Sequence, residues 1–503
     1  MDMSDKNVSV QNQEAQNGMA QNAAAESAAA RHTGNLKKNF GFFGPATFVY
    51  AVFYAFCMFR NGSGITFPFF VAGSLLYFCL CLSKLEISLK KGSVFYMAGM
   101  ALLSVSTFCT DDSRIISLNK TGIFLLMMSL LLKQFYDTSG WKLGKYLGSI
   151  LQLIFCSIGE LDRPFRDGAE YLRKRGKNNK IWFVLLGAAA AVPLLLLITA
   201  LLSSADAVFG QMMKSLTDWI QPANVFNVTF RILFLFFASY LLLAYLCRHT
   251  ISEEVKDKRK GEPVLAITVT GLLSLIYLLF CGVQIFGLFL GKMQLPEGYT
   301  YAEYAREGFF QLLVVSILNL VIVLFTLSFF RESALLRVIL TVMSLCTFVM
   351  IASSAMRMIL YIQSYDLTFL RILVLWTLAV LFLLFAGVIV GIFRESFGLF
   401  RYSVVVVTIC YVLLSFSHPD YIIAKVNLNE ASQKTEQIDF GYLSSLSADA
   451  APVLVPYMKA AGREAYVDGL SERLSEGSLR TFNLSRFMAG KCLEKYGEDI
   501  NFF

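Results

Sequence analysis

The stretch RILVLWTLAVLFLLFAGVIVGIF, residues 371–393, carries its only charge at the first position and is largely apolar from there on. A helix of about 20 apolar residues can cross the roughly 30 Å hydrocarbon core of a bilayer. The apolar residues run continuously instead of alternating, and in lipid such a run satisfies its backbone hydrogen bonds as a helix. The stretch therefore predicts a membrane-spanning helix.

The rest of the chain repeats this pattern. Of its 503 residues, 56% are apolar and 16% are charged, and the mean hydropathy is +0.59. Soluble domains have about 45–50% apolar and about 25% charged residues. The predicted fold class is all-α, a polytopic helical membrane bundle with a small helical C-terminal tail. We expect about eleven spans, at residues 41–59, 64–83, 93–110, 117–135, 181–203, 225–247, 264–290, 309–330, 338–361, 371–393 and 402–417.

The distribution of basic residues predicts the orientation. If the N-terminus is cytoplasmic, the inner segments carry dense basic sets, such as residues 133–180 and 248–260, and the outer segments carry few. This asymmetry is the positive-inside pattern, so we expect a cytoplasmic N-terminus and an extracytoplasmic C-terminus in a cell (plasma or inner) membrane. The net charge of +8 has the same explanation, and a nucleic-acid partner is not expected.

The spans divide the chain into five predicted regions. They are a disordered cytoplasmic tail at 1–38, about four transmembrane helices at 39–136, a basic cytoplasmic segment at 137–180, a core of about seven transmembrane helices at 181–417 and an extracytoplasmic helical tail at 418–503. The first apolar run begins near Phe40, so the first span is expected to act as a signal anchor.

The segment at 137–180 differs from the spans. Its stretch KYLGSILQLIFCSIGELDRPF is apolar for about a dozen residues, which is short for a span and favours an interfacial or re-entrant segment. The stretch YLRKRGKNNK, Tyr171–Lys180, follows it, and five of those ten residues are basic. Two interpretations remain open, a topology anchor for the next span, which we favour, and an anionic-lipid contact. The residues that would contact lipid are Arg173, Lys174, Arg175 and Lys177.

Metal, cofactor and catalytic sites are not predicted. The ten cysteines lie mostly inside apolar runs, where Cys behaves as a small hydrophobe, and the three histidines are far apart in sequence. The chain has no G-x-S-x-G, HExxH or phosphate-loop motif. No catalytic residue is therefore predicted, and we lean against an enzyme.

Polar residues recur at the predicted outer ends of several spans. In YAEYAREGF, Tyr301–Phe309, Arg306 lies one helical turn from an acidic residue, and a stripe from Tyr304 through Gln311 to Asn319 is expected to face other helices or a cavity. Arg357 is the deepest of the charges. The candidate ligand-binding residues are Asp206, Arg231, Tyr304, Arg306, Glu307, Gln311, Asn319, Arg357, Tyr361, Asp366, Arg371 and Asp420. The arginines either line a cavity for an anionic or zwitterionic ligand or form ion pairs that fix loops and tail, and we favour the second reading.

Five motifs resemble a bacterial membrane family. SADAVFG, YAEYAREGFFQLL, MRMILYIQSYDLTFLRI and HPDYIIAKVNLN, followed by DFGYLSSLSADA, are similar in order to the family catalogued as domain of unknown function 4173, and a sister family, 4153, is similar as well. The resemblance covers roughly residues 180–450. It implies an integral membrane protein without an assigned activity, substrate or cofactor. The matching positions are Tyr304, Arg306, Glu307, Gly308, Arg357, Tyr361, Thr368 and Arg371.

The leading function hypothesis is a multi-pass membrane protein without enzymatic activity that senses or scaffolds at the cell envelope. The alternative is a transporter or flippase-like protein for an anionic or lipidic substrate. A continuous polar path from Arg357 toward Gln284 and Asn319 would favour transport, whereas a closed and fully paired network would favour a scaffold. A water-filled pocket that holds an Asp–His pair would favour an enzyme.

Overall fold

The computed structural model of the chain describes residues 26–138, 141, 143–174, 187, 191, 194–195, 198–199, 201–206, 208–210, 222–249, 261–286, 301–394, 397–431, 439–475 and 478–497. Within residues 301–307 the description covers the helix and not the side chains. The predicted tail up to residue 25 and most of the predicted span 181–203 lie outside these residues.

Helices make up almost all of the described structure. They are α1 at residues 26–38, α2 Phe40–Met58, α3 Thr66–Leu85, α4 Ser93–Cys109, α5 Ser113–Phe135, α6 Leu143–Cys156, α7 Arg163–Lys174, α8 Pro222–Arg248, α9 Pro263–Gln284, α10 Tyr301–Phe329, α11 Ala334–Tyr365, α12 Phe369–Phe393, α13 Leu399–Phe416, α14 Pro419–Ala431, α15 Phe440–Ser444, α16 Ala451–Ala460, α17 Glu464–Ser475 and α18 Leu484–Lys495. In the same residues no strand forms, and Gly261 and Phe330 make an isolated bridge.

Nine of the described helices are long and apolar enough to cross a bilayer, namely α2, α3, α5 and α8 to α13. Each corresponds to one of the predicted spans. The predicted span 93–110 is the shorter apolar helix α4, of 17 residues. The all-α polytopic bundle predicted from the sequence is therefore confirmed, because the apolar runs form helices of spanning length.

The described chain forms two compact units. The first contains α1 to α3, most of α6, α7 and α8 together with parts of α4 and α5. Here α2 packs against α3 through a half-buried polar and aromatic contact: the Tyr50 and Tyr77 rings stack at 4.5 Å, and Thr47 Oγ1 lies 2.7 Å from the Tyr77 hydroxyl. Gly73 lets the two helices approach, because a Cβ at this position would overlap the Phe53 ring.

The second unit contains α9 to α18 and the adjoining ends of α4 and α5. Its centre is the set α9, α10 and α11, whose buried side chains include Val323, Leu340 and Met343. Helix α12 packs on α11 through Phe385, Leu378 and their neighbours. Burying these side chains away from water and lipid fixes the helices that carry the polar groups described below.

The helices that follow α13 form an apolar core of their own. This core contains Ile423 of α14, Leu454 of α16 and Leu493 of α18, all essentially inaccessible to solvent. It also contains Leu367, which belongs to the loop between α11 and α12. Asn427 fixes this loop, since its side chain accepts from the Leu367 amide at 2.9 Å and donates to the Leu367 carbonyl at 3.0 Å. The C-terminal helices of the second unit are thus built onto one end of its spans.

Candidate functional site

A dense group of charged and polar side chains joins the C-terminal helices to the ends of the spans in the second unit. We call it the docking cluster, and it consists of Thr110, Asp111, Asp112, Arg114, His418, Asp420, Asp449, Ser485 and Arg486. The residues come from the α4–α5 loop and the start of α5, the α13–α14 turn and the start of α14, the short 3-10 helix Ala448–Ala450 and the start of α18. Segments more than 300 residues apart in sequence thus meet in one place.

Asp449 is the centre of the docking cluster. Its side chain is fully buried and its carboxylate accepts four hydrogen bonds. Two of them come from hydroxyl groups, Thr110 Oγ1 at 2.5 Å and Ser485 Oγ at 2.5 Å. The other two come from the Asp111 amide at 2.7 Å and from His418 Nδ1 at 3.0 Å. A buried carboxylate needs this number of partners, because an unpaired charge in a low-dielectric site is costly.

A second carboxylate, Asp420 in the first turn of α14, is also buried. Arg114 donates through Nη2 to Asp420 and holds Asp112 with two bonds, Nε to Oδ1 and Nη2 to Oδ2, each of 2.9 Å. The other Asp420 oxygen accepts from the Ser447 amide at 2.9 Å. The Arg114 guanidinium also lies over the Phe369 ring, 3.9 Å from its centroid. One arginine therefore ties the starts of α5, α12 and α14 together by paired charges and a cation–π contact.

Two contacts from the last helix complete the docking cluster. Arg486 Nε donates to Asp111 Oδ1 at 2.6 Å. Asn483 caps α18 by accepting from the Arg486 amide at 3.2 Å, and its own amide group donates to the Thr110 carbonyl at 3.0 Å. The N-terminus of α18 is fixed to the α4–α5 loop by these bonds, since capping groups satisfy backbone atoms that the helix leaves open.

The protonation of these groups is coupled. The hydrogen bond to Asp449 raises the pKa of His418, although burial of the ring acts in the opposite direction. Burial opposes ionisation of Asp449, but the bonds from His418, Ser485 and Thr110 outweigh it and lower the pKa of this carboxyl. Burial and the charge of Asp112 raise the pKa of Asp420. Asp449 thus favours its carboxylate and His418 its imidazolium, so the pair favours the charged form of both.

The backbone at His418 is unusual. Its φ of 49° lies in the left-handed region, which costs a residue with a Cβ roughly 1–2 kcal/mol. This conformation separates α13 from α14 and turns the chain so that the ring reaches Asp449. A strained backbone persists only where the surrounding structure enforces it. The contacts of the docking cluster, including the bond from His418 to Asp449, therefore hold His418 in this conformation.

A buried neutral network continues from the docking cluster into the spans. Asn119 of α5 accepts from the Tyr411 hydroxyl and from Ser415 Oγ of α13, each at 2.7 Å. Its amide donates to Thr107 Oγ1 of α4 at 3.1 Å. Thr107 lies one turn before the α4–α5 loop, so the docking cluster and this network share one helix end.

Arg357 lies in a different polar region, between α9, α10 and α11. Its side chain is 6% exposed, and its Nη2 donates to Gln284 Oε1 at 3.3 Å. The same oxygen accepts from Ser353 Oγ at 2.7 Å. Gly308 of α10 faces the guanidinium so closely that a Cβ there would lie 2.9 Å from Arg357 Cζ and overlap Nη1. Gly308 therefore provides the space that the guanidinium occupies.

This polar region continues along the three helices. Asn319 is fully buried; it accepts from the Tyr277 hydroxyl at 2.8 Å and donates to Thr347 Oγ1 at 3.0 Å. Cys281, between Tyr277 and Gln284 on α9, donates to the Cys346 carbonyl at 3.6 Å. We call this line of side chains the seam, and it consists of Tyr277, Cys281, Gln284, Gly308, Asn319, Thr347, Ser353 and Arg357.

The predicted stripe on α10 is only partly buried. Asn319 belongs to the seam, whereas Gln311 is exposed. The reason is rotation: eight residues advance a helix by about 800°, which leaves the two side chains about 80° apart around the axis. The candidates Tyr304, Arg306 and Glu307 lie in the first turns of α10, and their side chains are outside the described residues.

Three candidates meet at the end of α11. Arg371 lies over the Tyr361 ring, 4.3 Å from its centroid, and Tyr361 stacks on Phe309 at 5.8 Å. Arg371 Nη1 also donates to the Tyr365 carbonyl at 2.5 Å and to the Asp366 carbonyl. Asp366 itself has a left-handed φ of 67°. Arg371 thus satisfies the last carbonyls of α11, as cationic side chains do at helix C-termini.

The remaining candidates belong to the first unit. Asp206 is exposed and accepts from the Phe209 amide at 2.7 Å, so it closes a local turn. It also lines a shallow surface pocket with Leu202 and Phe209. Arg231 is half-buried in the first half of α8. Of the twelve candidates, the structure thus brings Asp420 into the docking cluster, and Asn319 and Arg357 into the seam.

Sequence reasoning missed most of the docking cluster. Asp111, Asp112 and Arg114 lie in FCTDDSR between two apolar runs, and Asp449 lies in the SADA of a motif quoted above. Three charges in a loop this short were a usable signal, but their partners are far away in sequence. Among the described residues, no group of three or more His, Cys, Asp or Glu side chains could hold a metal ion.

Comparison with known proteins identifies the family. Neither the curated proteins nor the solved structures gave a significant match. A family model does match, over residues 97–457, which includes the seam and every residue of the docking cluster except Ser485 and Arg486. The match is to the sister family named by the resemblance, and it begins earlier in the chain than residue 180; membership of 4173 is not shown. The chain therefore belongs to the family described as domain of unknown function (DUF4153).

Proposed function

We propose that this multi-pass membrane protein is a non-enzymatic sensor or scaffold of the cell envelope. Its C-terminal helices α14 to α18 act as the sensing or scaffolding module, held on the ends of the spans by the docking cluster. The observation that carries this proposal is the fourfold engagement of Asp449 by groups from the α4–α5 loop, the α13–α14 turn and α18.

The chemistry of the docking cluster supports a mechanical role. A carboxylate that accepts four hydrogen bonds is a weak base and a weak nucleophile, because those bonds stabilise its charge. The same bonds give the module one defined position. The network around Asn119 then connects this position to α4, α5 and α13. A stimulus that displaces the module would therefore change the contacts between spans, as a two-state sensor requires.

The proposed orientation has the N-terminus in the cytoplasm of a bacterial cell and the module outside the cell membrane. It is supported by the excess of basic residues in alternate loops. With this orientation the docking cluster would meet the pH, ions and partners of the envelope. Reporter fusions after Arg248 and after Lys495 test it, since the first is expected inside and the second outside.

Amide hydrogen exchange of the reconstituted full chain tests the proposed function. We expect Asp449→Ala to raise exchange in α14 to α18 and in residues 107–119 together, since the docking cluster couples them. Asp468→Ala, at an exposed position of α17, is the matched control. Exchange that rises in the module while residues 107–119 stay protected would contradict the proposal.

The seam favours a second candidate function, a transporter or flippase-like protein for an anionic or lipidic substrate. A buried arginine between spans is a functional hypothesis by default, and it recognises carboxylate and phosphate groups well. Thermal-shift measurements with a panel of anionic metabolites and lipid head groups distinguish a transporter from a sensor or scaffold. Stabilisation of the wild-type chain that disappears in Arg357→Ala would favour transport. Arg371→Gln serves as a control at a second arginine.

A further inference from the structure

The segment between α5 and α8 carries a broad exposed apolar surface. Along α6, the 3-10 helix Ser157–Glu160 and the start of α7, the exposed large side chains recur at intervals of one to four residues. They are Leu147, Leu151, Ile154, Phe155, Ile158, Leu161 and Phe165, with exposed fractions from 36% to 66%. We call them the apolar stripe. Ile150, Leu153 and Glu160 alternate with them and are buried, so the segment has one covered and one open face.

The apolar stripe cannot belong to a span. Helix α6 has 14 residues, about 21 Å at 1.5 Å per residue, which is shorter than the hydrocarbon core. The segment then turns through the 3-10 helix and continues as α7, a helix rich in charged residues. Seven large apolar side chains side by side also exceed what a water-exposed surface normally carries. The apolar stripe therefore needs a cover.

Glu160 fixes the depth of the segment. Its carboxylate accepts from Arg163 Nε and from Arg248 Nη1, each at 2.8 Å. Arg248 is the last residue of the spanning helix α8. The turn that carries Ile158 and Leu161 is therefore held at the end of a span, where the hydrocarbon core gives way to the head groups.

Helix α7 also holds the segment to the spans, through contacts with α2 and α8. Tyr171 packs against Phe40, the first residue of the spanning helix α2, with ring centroids 5.9 Å apart. The Tyr240 hydroxyl of α8 donates to Asp167 at 2.9 Å. The segment thus runs beside the start of α2 and the second half of α8. Phe165 of the apolar stripe packs against Phe237 of α8, with ring centroids 5.7 Å apart, so the stripe adjoins the surface of a span.

We infer that the apolar stripe lies in the plane of one leaflet, at the boundary between acyl chains and head groups, and that the basic end of α7 binds anionic phospholipid head groups there. An amphipathic helix with this geometry buries its apolar face by several ångströms, and neighbouring basic residues add electrostatic attraction to anionic lipid. Arg173 is exposed at that end of α7. Of Lys174 only the backbone is described, and Arg175 and Lys177 lie outside the described residues.

Photo-crosslinking of the full chain in lipid nanodiscs tests this inference. The photoreactive residue p-benzoylphenylalanine replaces Phe155 in the apolar stripe, and adducts are identified by mass spectrometry. Phe230, exposed on a span, is the positive control, and Leu479, 76% exposed among the C-terminal helices, is the negative control. We expect the lipid adduct at Phe155 to be within about twofold of that at Phe230 and about tenfold above that at Leu479.

Protein adducts at Phe155, or a lipid yield no higher than at Leu479, would overturn the inference in favour of a protein cover.

The binding of anionic head groups is tested with an equimolar mixture of phosphatidylglycerol and phosphatidylcholine. Anionic adducts should be enriched about threefold over the bulk ratio, and Arg173→Gln should reduce this enrichment while the total lipid yield stays unchanged. Adducts that follow the bulk ratio in the wild-type chain would overturn the head-group part.

Discussion

The docking cluster and the seam both bury polar side chains in the second unit, but with different chemistry. The docking cluster lies at helix ends and sets four carboxylates against two guanidinium groups and an imidazole. The seam lies between spans and pairs amide and hydroxyl groups around one arginine. The two regions differ in which groups they bury: full charges are concentrated at the ends of the helices, whereas between spans neutral groups make most of the contacts, since an unpaired charge costs more there.

Asp449→Ala should have the largest effect, because it leaves four hydrogen-bond donors without their acceptor at once. We expect a loss of about 3–5 kcal/mol in the stability of the C-terminal module, the cost of removing one partner from a buried ionic network. Limited proteolysis and thermal melting of the detergent-solubilised chain measure it. Asp468→Ala, at an exposed position, should melt like the wild type. Equal melting of both variants would show that the docking cluster does not hold the module.

Gly308→Ala should disturb the seam alone. The new Cβ overlaps the Arg357 guanidinium, and such overpacking costs about 1–3 kcal/mol. Gly282→Ala on α9 is the matched control, since a Cβ there meets open space. Arg357→Ala removes the overlapping atoms, so the double variant should lose less than the sum of the two single losses. Strict additivity in the thermal melts would mean that the two residues do not share the site.

His418→Asn should have a smaller, pH-dependent effect. The pKa of His418 is raised in the folded chain, so its contribution is fully present below its unfolded pKa of about 6.5 and is lost as pH rises through the folded value. We expect the variant to melt about 2–4 °C below the wild type near pH 6 and the difference to shrink at alkaline pH. In an Asp449→Asn background the difference should vanish at every pH. A gap that widens with pH would contradict the ionic contact.

Arg371→Gln should have the smallest effect. It removes one cation–π contact and the two bonds to the end of α11, at a half-exposed position, which is worth about 0.5–1 kcal/mol. Arg394→Gln, exposed at the other end of α12, should change nothing measurable in the same melting assay. A large loss at Arg371 would place it with the docking cluster as a structural anchor.

Hydropathy predicted the spans, because the bilayer imposes a length and an apolar composition on each helix separately. It could not predict the docking cluster, since Thr110 and Asp449 are 339 residues apart and their contact depends on the arrangement of many helices. Local spacing also misplaced Gln311, because a stripe drawn at intervals of three and four residues drifts around the helix axis. The short apolar run within residues 145–165 showed that the segment differs from a span, but the contact that holds Glu160 to Arg248 is a tertiary property.

The separation between Thr110 and Asp449 has a consequence for biosynthesis. At about 5–20 residues per second, a ribosome needs roughly 17–70 s to make the 339 residues between them. During that time the α4–α5 loop has been inserted, while the C-terminal helices that cover Asp111 and Asp112 do not yet exist. A nascent chain arrested before residue 419 would carry an open acidic loop and an uncovered Leu367. Completion of the last helices is therefore the step that converts an inserted chain into a finished one.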